Sequence, residues 1–286
     1  ILYFVKYLFL KSLKCVCPTK RALTVRIKKR FCTKLFTSFL KKLRIQLMFV
    51  KFEYQPLIED FYSNGEMKIE TILKILENSG NRHSDKAGDY ILQSSNNGFA
   101  WILTDWFVQI DFYPKYGDKI HAITWSQGIT SLFGTSRDFE LYCNDELCAK
   151  GTTRWVYFNM NTNRPQKISD DLLEKYGPEK KSVFEDSKLP KIEIPQVFDT
   201  EISIMPRRND IDFNHHVHNL VYVDYGMEAL DEETYINHDF KSIRITYKSA
   251  VVAGESLKVK CALVDKKHVI CIFNQQDELK TLLELA

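Results

Sequence analysis

A chain of 286 residues with 44% apolar content holds enough material for one large core or two ordinary ones, which excludes a disordered or low-complexity protein. The formal charge of +3 hides an asymmetry: residues 1–47 carry 13 of the 40 Lys and Arg and no Asp or Glu, so residues 48–286 hold 27 basic against 37 acidic side chains, a net of −10. An acidic body argues against a nucleic-acid partner, and Lys6 and Lys11 interrupt the opening apolar stretch before it reaches the length of a membrane span.

Taken in chain order, residues 1–47 read apart from the rest, as either a basic targeting or membrane-surface segment or sequence upstream of a start at Met48. The second is preferred because the chain opens on Ile. Three of the seven cysteines, Cys15, Cys17 and Cys32, fall there. Cys143, Cys148, Cys261 and Cys271 sit in apolar or alternating runs, and with no C-x-x-C pair they read as small buried hydrophobes in a reducing compartment.

From Met48 the pattern predicts a strand over 49–54 and an amphipathic helix over about 66–79, with Ile69, Ile72, Leu73, Ile75 and Leu76 as its stripe. Strands follow at 98–111, 119–126, 129–143 and 146–159, carrying Trp101, Trp106, Trp125 and Trp155. A polar stretch rich in Pro and Lys, 161–195, reads as a short helix and a linker. Beyond it the order repeats: a strand at 197–206, a turn over 209–214, a helix over about 217–230, and strands at 241–249, 256–264 and 267–274. Asp60-Phe61 and Asp212-Phe213 each precede a helix, and Gly117 and Gly254 open matching strands. A helix followed by antiparallel strands, done twice, predicts two α+β halves with a slot for an extended apolar ligand between them. The domains expected are a basic extension (1–47), a first half (48–160), a linker (161–195) and a second half (196–286).

The stretch from Arg207 to Tyr225 carries the chemistry. Asp212, Asn214 and His216 alternate before a helix start, offering a carboxylate to activate water, an amide to polarise a carbonyl and an imidazole for proton transfer. Amides near His216 and Val217 are expected to face a developing oxyanion. Asp and Asn also favour helix starts for capping alone, so spacing leaves both readings open. Tyr222, Tyr225 and Met227 either back this site or pack the core. His215 and His218 are expected to be exposed, while His83, His121, His238 and His268 lie apart. No pair of histidines has a third ligand at metal spacing, so no metal is expected.

The run DIDFNHHVHNLVYVDY resembles the D-x-N-x-H-V-N-N-x-x-Y signature of plant and bacterial acyl-ACP thioesterases, matching at Asp212, Asn214, His216, Val217, Asn219 and Tyr222. His218 stands where that family has Asn. Residues 98–125, the RDFEL of Arg137 to Leu141, and TTRWVYFNMNTNRPQKI are similar to further blocks of the same family in the same order, and the resemblance spans Phe52 to Leu263. It implies two tandem hotdog domains, each an antiparallel sheet wrapped around a long helix, the first holding the acyl chain and the second catalytic. It further implies hydrolysis of fatty acyl-ACP to free fatty acid and holo-ACP, with Asp212, Asn214 and His216 catalytic. Trp101, Trp106, Trp125 and Tyr222 become candidate acyl-binding residues, and Arg137 a structural one, paired with Asp138 or a backbone carbonyl.

The family's Glu on the next strand falls at Ala250, followed by Val251, so a cysteine nucleophile has no candidate there and water attack is expected. Glu255 reads first as a turn residue. The partner implied is acyl carrier protein, docked through Arg207, Arg208, Arg244 and Lys248 against the body's acidic charge. No cofactor is implied. The chain is expected to be a monomer or homodimer, in the cytoplasm or, for a plant or algal source, the plastid. An acyl-CoA thioesterase and a catalytically weakened acyl-binding protein stand as alternatives.

Overall fold

Alternating apolar and polar residues over five to fourteen positions commit the long segments of the body to strands, and the chain pairs them into one antiparallel sheet. The computed structural model describes residues 49–90, 98–185, 189 and 191–286. Expectations for the basic extension and its three cysteines lie outside the described residues.

The first half runs β1 (Val50–Tyr54), α1 (Ile69–Ala87), β2 (Phe99–Ile110), β3 (Ile120–Ser131), β4 (Gly134–Cys143) and β5 (Glu146–Asn159). A two-residue strand, β6 (Arg164–Pro165), and a short helix, α2 (Asp170–Tyr176), follow. The second half runs β7 (Thr200–Ile204), α3 (Val221–Met227), α4 (Glu232–Asn237), β8 (Ser242–Tyr247), β9 (Leu257–Val264), β10 (Lys267–Asn274) and β11 (Leu279–Leu285). Sheet order is β1-β3-β4-β5-β2-β8-β11-β10-β9-β7, with β6 on β5. Each half thus has the same internal order, and the two meet where β2 pairs with β8 from Asp105↔Thr246 to Gln109↔Ser242. This is the tandem hotdog arrangement the resemblance implied.

One core crosses the junction. Ile72, Leu76 and Trp106 of the first half share it with Tyr222, Val223, Ile243, Ile245 and Leu283 of the second. A smaller cluster on the other face of β10 and β11 holds Val269, Cys271 and Leu282, covered by Ile192 from the polar connecting stretch. That stretch therefore does more than connect. The four described cysteines are free and buried, as expected.

Several elements depart from the sequence reading. α1 extends to Ala87 and ends at Gly88 in the left-handed region, φ 74°. Its last turns bury Ser79, Gly80 and His83 rather than aliphatics, so the apolar period fades while the buried face continues. The second helix holds seven residues in place of the fourteen expected over 217–230, because residues 213–220 are spent on turns. β11 was not anticipated: the Leu-rich LKTLLEL has little β-branching, yet it pairs with both β10 and β8. The break expected after Ser126 is a bulge within β3, at Gly128 with φ 90°, and the chain reverses at Leu132 and Phe133.

The repeat is also offset differently. Asp60 and Asp210, both 2% exposed, are the equivalent acids. Each closes a 3-10 turn and accepts a tyrosine hydroxyl, Tyr54 at 2.8 Å and Tyr225 at 2.7 Å. Asp212 thus matches Tyr62, not Asp60.

Ile72→Ala empties a fully buried site facing both halves. Urea unfolding is expected to show a loss of about 2–5 kcal/mol, whereas Ile236→Ala, at 57% exposure on α4, stays within about 0.5 kcal/mol of the parent.

Candidate active site

Residues 210–219 form a tight loop whose polar side chains satisfy its own backbone. Ile211 pairs with Val217, and the Asp212 N–H donates to the His216 carbonyl at 2.8 Å, with His215 at φ 62° inside the reversal. Asp212 Oδ1 accepts the Asn214 N–H at 2.8 Å and the His216 N–H at 3.3 Å, and Asn214 Nδ2 lies 3.4 Å from Oδ2. The capping role open at the sequence level is therefore present, and it occupies one oxygen of the carboxylate. Tyr222 holds the loop from below: its hydroxyl accepts the Val251 N–H at 3.0 Å, and Val251 in turn accepts the Val217 N–H at 2.8 Å.

These bonds remove the expected oxyanion donors. The amides of His216 and Val217 are both engaged, and α3 begins only at Val221. Of this loop's side-chain amides, those of Asn214 and Asn219 belong to residues that line the cavity.

That cavity, about 190 Å³, is lined from both halves. The second half contributes Asp212, Phe213, Asn214, His218 and Asn219. On α1 the lining residues are Glu77, Gly80, Asn81 and Ser84, spaced as one helical face. From Glu77 to Ser84 the helix rises about 10 Å, so the cavity runs along it. Near Glu77 sits His218, its Nε2 3.2 Å from Glu77 Oε2. Near Ser84 sits Tyr176 of α2, whose hydroxyl reaches Ser84 Oγ at 3.2 Å and Asp89 Oδ2 at 2.5 Å, with the Trp101 indole on the same Asp89 at 2.9 Å. Trp101, Trp106, Phe139, Trp155, Ile168, Leu172 and Leu173 give the space its apolar walls. Gly80 leaves room for side chains of β4: a Cβ there would lie 3.3 Å from Arg137 Cδ.

The structure brings together only part of the predicted set. Asp212, Asn214, Trp101 and Trp106 line the cavity. His216 does not; its ring is half-buried and makes no hydrogen bond among the described residues. Trp125 is fully buried elsewhere, its indole donating to the Lys181 carbonyl at 2.8 Å. Tyr222, 2% exposed, supports the loop rather than the cavity, and Tyr225 and Met227 pack the core.

His218, expected exposed, is half-buried and paired. The hydrogen bond to Glu77 raises its pKa, reinforced by the charges of Glu77, Asp212 and Asp224 against the opposing effect of burial. Arg137 does not pair with Asp138. Its guanidinium contacts His83 Nδ1 at 2.7 Å and lies 5.6 Å from the Tyr176 ring, and burial brings its pKa down to about 10. Glu255 is the turn residue expected, bonded to the Val252 N–H, Asn274 and Lys280.

Sequence reasoning missed Glu77, His218 and the wall from α2. The signal for Glu77 was available: past Leu76 the helical period continues through Glu77, Gly80, Asn81 and Ser84, a polar stripe beside an apolar one.

Among the described residues no cysteine lines the cavity. Burial pushes the Cys143, Cys148 and Cys271 thiols up to about 12 and Cys261 to about 11, which keeps them protonated and poorly nucleophilic. Among the described residues no group of His, Cys, Asp and Glu could hold a metal ion, and no helix is long and apolar enough to cross a membrane.

Comparisons with known proteins fall on the same architecture. Residues 48–176 match the family described as acyl-ACP thioesterase N-terminal domain, and residues 195–286 its C-terminal domain. Oleoyl-acyl carrier protein thioesterase 1, chloroplastic, from Arabidopsis thaliana is 30% identical over 209 residues, covering 65% of this chain and 56% of its own. The oleoyl-acyl carrier protein thioesterase of Coriandrum sativum is 29% identical over 211 residues, covering 65% of this chain and 54% of its own. The chain thus spans about half the length of the curated relatives it matches. Among solved structures, an acyl-ACP thioesterase from Bacteroides thetaiotaomicron gives a TM-score of 0.74 at 17% identity, covering 85% of this chain and 98% of that one. The 12:0-ACP thioesterase from Umbellularia californica gives 0.75 at 18%, covering 83% and 96%. At these identities the structures establish the fold.

Ser136 on β4 is 6% exposed and lines the cavity. Ser136→Leu is expected to fill part of the cavity, an effect read by urea unfolding. Overpacking is expected to lower stability by about 1–3 kcal/mol.

Proposed function

The chain belongs to the acyl-ACP thioesterase family, and on that footing we propose that it hydrolyses fatty acyl-ACP to free fatty acid and holo-ACP, ending chain elongation. The observation that carries the reading is a cavity walled by Trp101, Trp106, Trp155 and Phe139 that also exposes Asp212 and Asn214. Apolar walls suit an acyl chain, and a carboxylate beside an amide suits the thioester.

In this mechanism Asp212 accepts a proton from water as the oxygen attacks the thioester carbon. Its Oδ1 is fixed by the loop amides, so Oδ2, held only by a long contact to Asn214, faces the reaction. The amides of Asn214 and Asn219 polarise the carbonyl and stabilise the tetrahedral adduct. His216 stands outside the cavity lining and reaches the site through its backbone N–H on Asp212 Oδ1, so of the orienting and proton-transfer roles expected of it this mechanism uses the first and leaves proton transfer to Asp212. Direct attack by water is favoured over a thiol nucleophile by the buried, protonated cysteines.

The partner is acyl carrier protein, an acidic protein meeting an acidic body, so docking calls for a local cationic patch. Arg208 and Lys248 are exposed and suit that role. Arg207 is exposed but already bound to Asp210 at 2.8 Å, and Arg244, 6% exposed on β8, cannot reach a partner's surface. The relatives from Arabidopsis and coriander are named as chloroplastic. For this chain the site of action proposed is the cytoplasm, or the plastid if the source is a plant or alga.

Ala250 motivates a second reading, an acyl-binding protein with little turnover, since it sits exposed and without a carboxyl group where the family has Glu. Fatty acid release from acyl-ACP and acyl-CoA by the wild type and Asp212→Asn separates the readings. Asn preserves the loop's acceptor and removes the base, so kcat on acyl-ACP is expected to fall on the order of 10²- to 10⁴-fold with little change in melting temperature. Preference for acyl-CoA, or acyl binding without release, would overturn the proposal.

A further inference from the structure

Two departures from the family pattern, Ala250 for Glu and His218 for Asn, leave the candidate site short of one carboxylate and give it an additional imidazole. The extra imidazole leads to a carboxylate. His218 Nε2 lies 3.2 Å from Oε2 of Glu77, which belongs to α1 and so to the other half of the chain. On the opposite side of the ring the Leu220 N–H approaches Nδ1 at 3.4 Å, an arrangement that assigns the neutral ring's proton to Nε2, toward Glu77. Glu77 is 12% exposed at its side chain and lines the cavity that Asp212, Asn214 and Asn219 also line. Its other oxygen, Oε1, accepts no hydrogen bond among the described residues.

We propose that Glu77 is the second carboxylate of the hydrolytic site, delivered from the first half and held in place by His218. The inference rests on the acyl thioester reading above and supplies what Ala250 removes. Glu77 acts on the attacking water; His218 acts through Glu77 and is a positioning residue.

Water sits between Asp212 and Glu77. Asp212 takes one of its protons as the oxygen forms a bond to the thioester carbon, and Glu77 Oε1 accepts a hydrogen bond from the other, aiming the lone pair. As the adduct collapses, the carbon–sulfur bond breaks with its electron pair on sulfur, and the thiolate takes the proton from Asp212 to become the carrier's thiol. The remaining water proton passes to Glu77 and then to solvent, leaving a free carboxylate.

Two carboxylates in one cavity repel, and His218 offsets that. The charges of Glu77, Asp212 and Asp224 all favour its protonated form, while Tyr247, the other titratable group influenced by Glu77, is neutral. A plain tether between the halves would need only the Glu77–His218 contact. It gives no reason for the carboxylate to line the cavity with one oxygen unengaged.

The test compares two nucleophiles in the full chain with acyl-ACP: water, which needs a base, and hydroxylamine, which needs much less help. Glu77→Gln is expected to slow fatty acid release about 10²-fold while hydroxamate formation slows less than about tenfold. His218→Asn is expected to give the same split with smaller losses, and circular dichroism should show both variants folded. Wild-type hydrolysis by Glu77→Gln, or a parallel fall of both reactions in both variants, would overturn the inference while leaving the parent reading intact. Failure of the wild type to release fatty acid from any acyl-ACP would overturn both.

Discussion

The ladder between β2 and β8 is the contact on which the rest depends. It joins two five-stranded sheets edge to edge, from Asp105↔Thr246 to Gln109↔Ser242, and so removes the open edge that each half alone would expose. It also fixes where α1 stands relative to the loop that precedes α3. Because one core holds Ile72, Leu76, Tyr222 and Val223 together, the polar stripe of α1 and the polar side chains of that loop face one cavity. Neither half alone forms that cavity. The first brings the walls and Glu77, the second Asp212, Asn214 and His218.

Much of this architecture was legible because sheet and helix periods are strong signals where side chains alternate cleanly. β9, with Leu257, Val259 and Cys261 inward and Lys258 and Lys260 outward, is such a case. The signal failed where both faces are covered or where burial uses small polar residues. β11 is Leu-rich and nearly devoid of β-branching, so only its pairing with two neighbours makes it a strand. The end of α1 is buried through Ser79, Gly80 and His83, which carry little hydropathy. Glycine misled at Gly128, where Gln127-Gly128 resembles a turn but forms a bulge, and the true reversal is the apolar pair Leu132-Phe133.

The candidate site was legible in its chemistry and less so in its geometry. Asp212 and Asn214 line the cavity, whereas His216, alternating with them in sequence, does not. The same carboxylate also caps its own loop, so the two readings open at the sequence level were not alternatives. What sequence could not supply was the partner across the junction. Glu77 lies 141 residues before His218, and nothing local links them until the β2–β8 ladder is formed. Arg137 shows the same limit, since its contacts with His83 and Tyr176 join α1, β4 and α2.

Hydrolysis as proposed requires an acyl thioester to lie along α1 with its carbonyl at the loop. A crystal structure with a non-hydrolysable ketone analogue of an acyl phosphopantetheine tests this most directly. The prediction is an acyl chain running past Trp106 toward Trp101 and Tyr176, its carbonyl within hydrogen-bond reach of Asn214 or Asn219 and its carbon facing Asp212. A chain bound on another surface, with Asp212 open to bulk water, would contradict it.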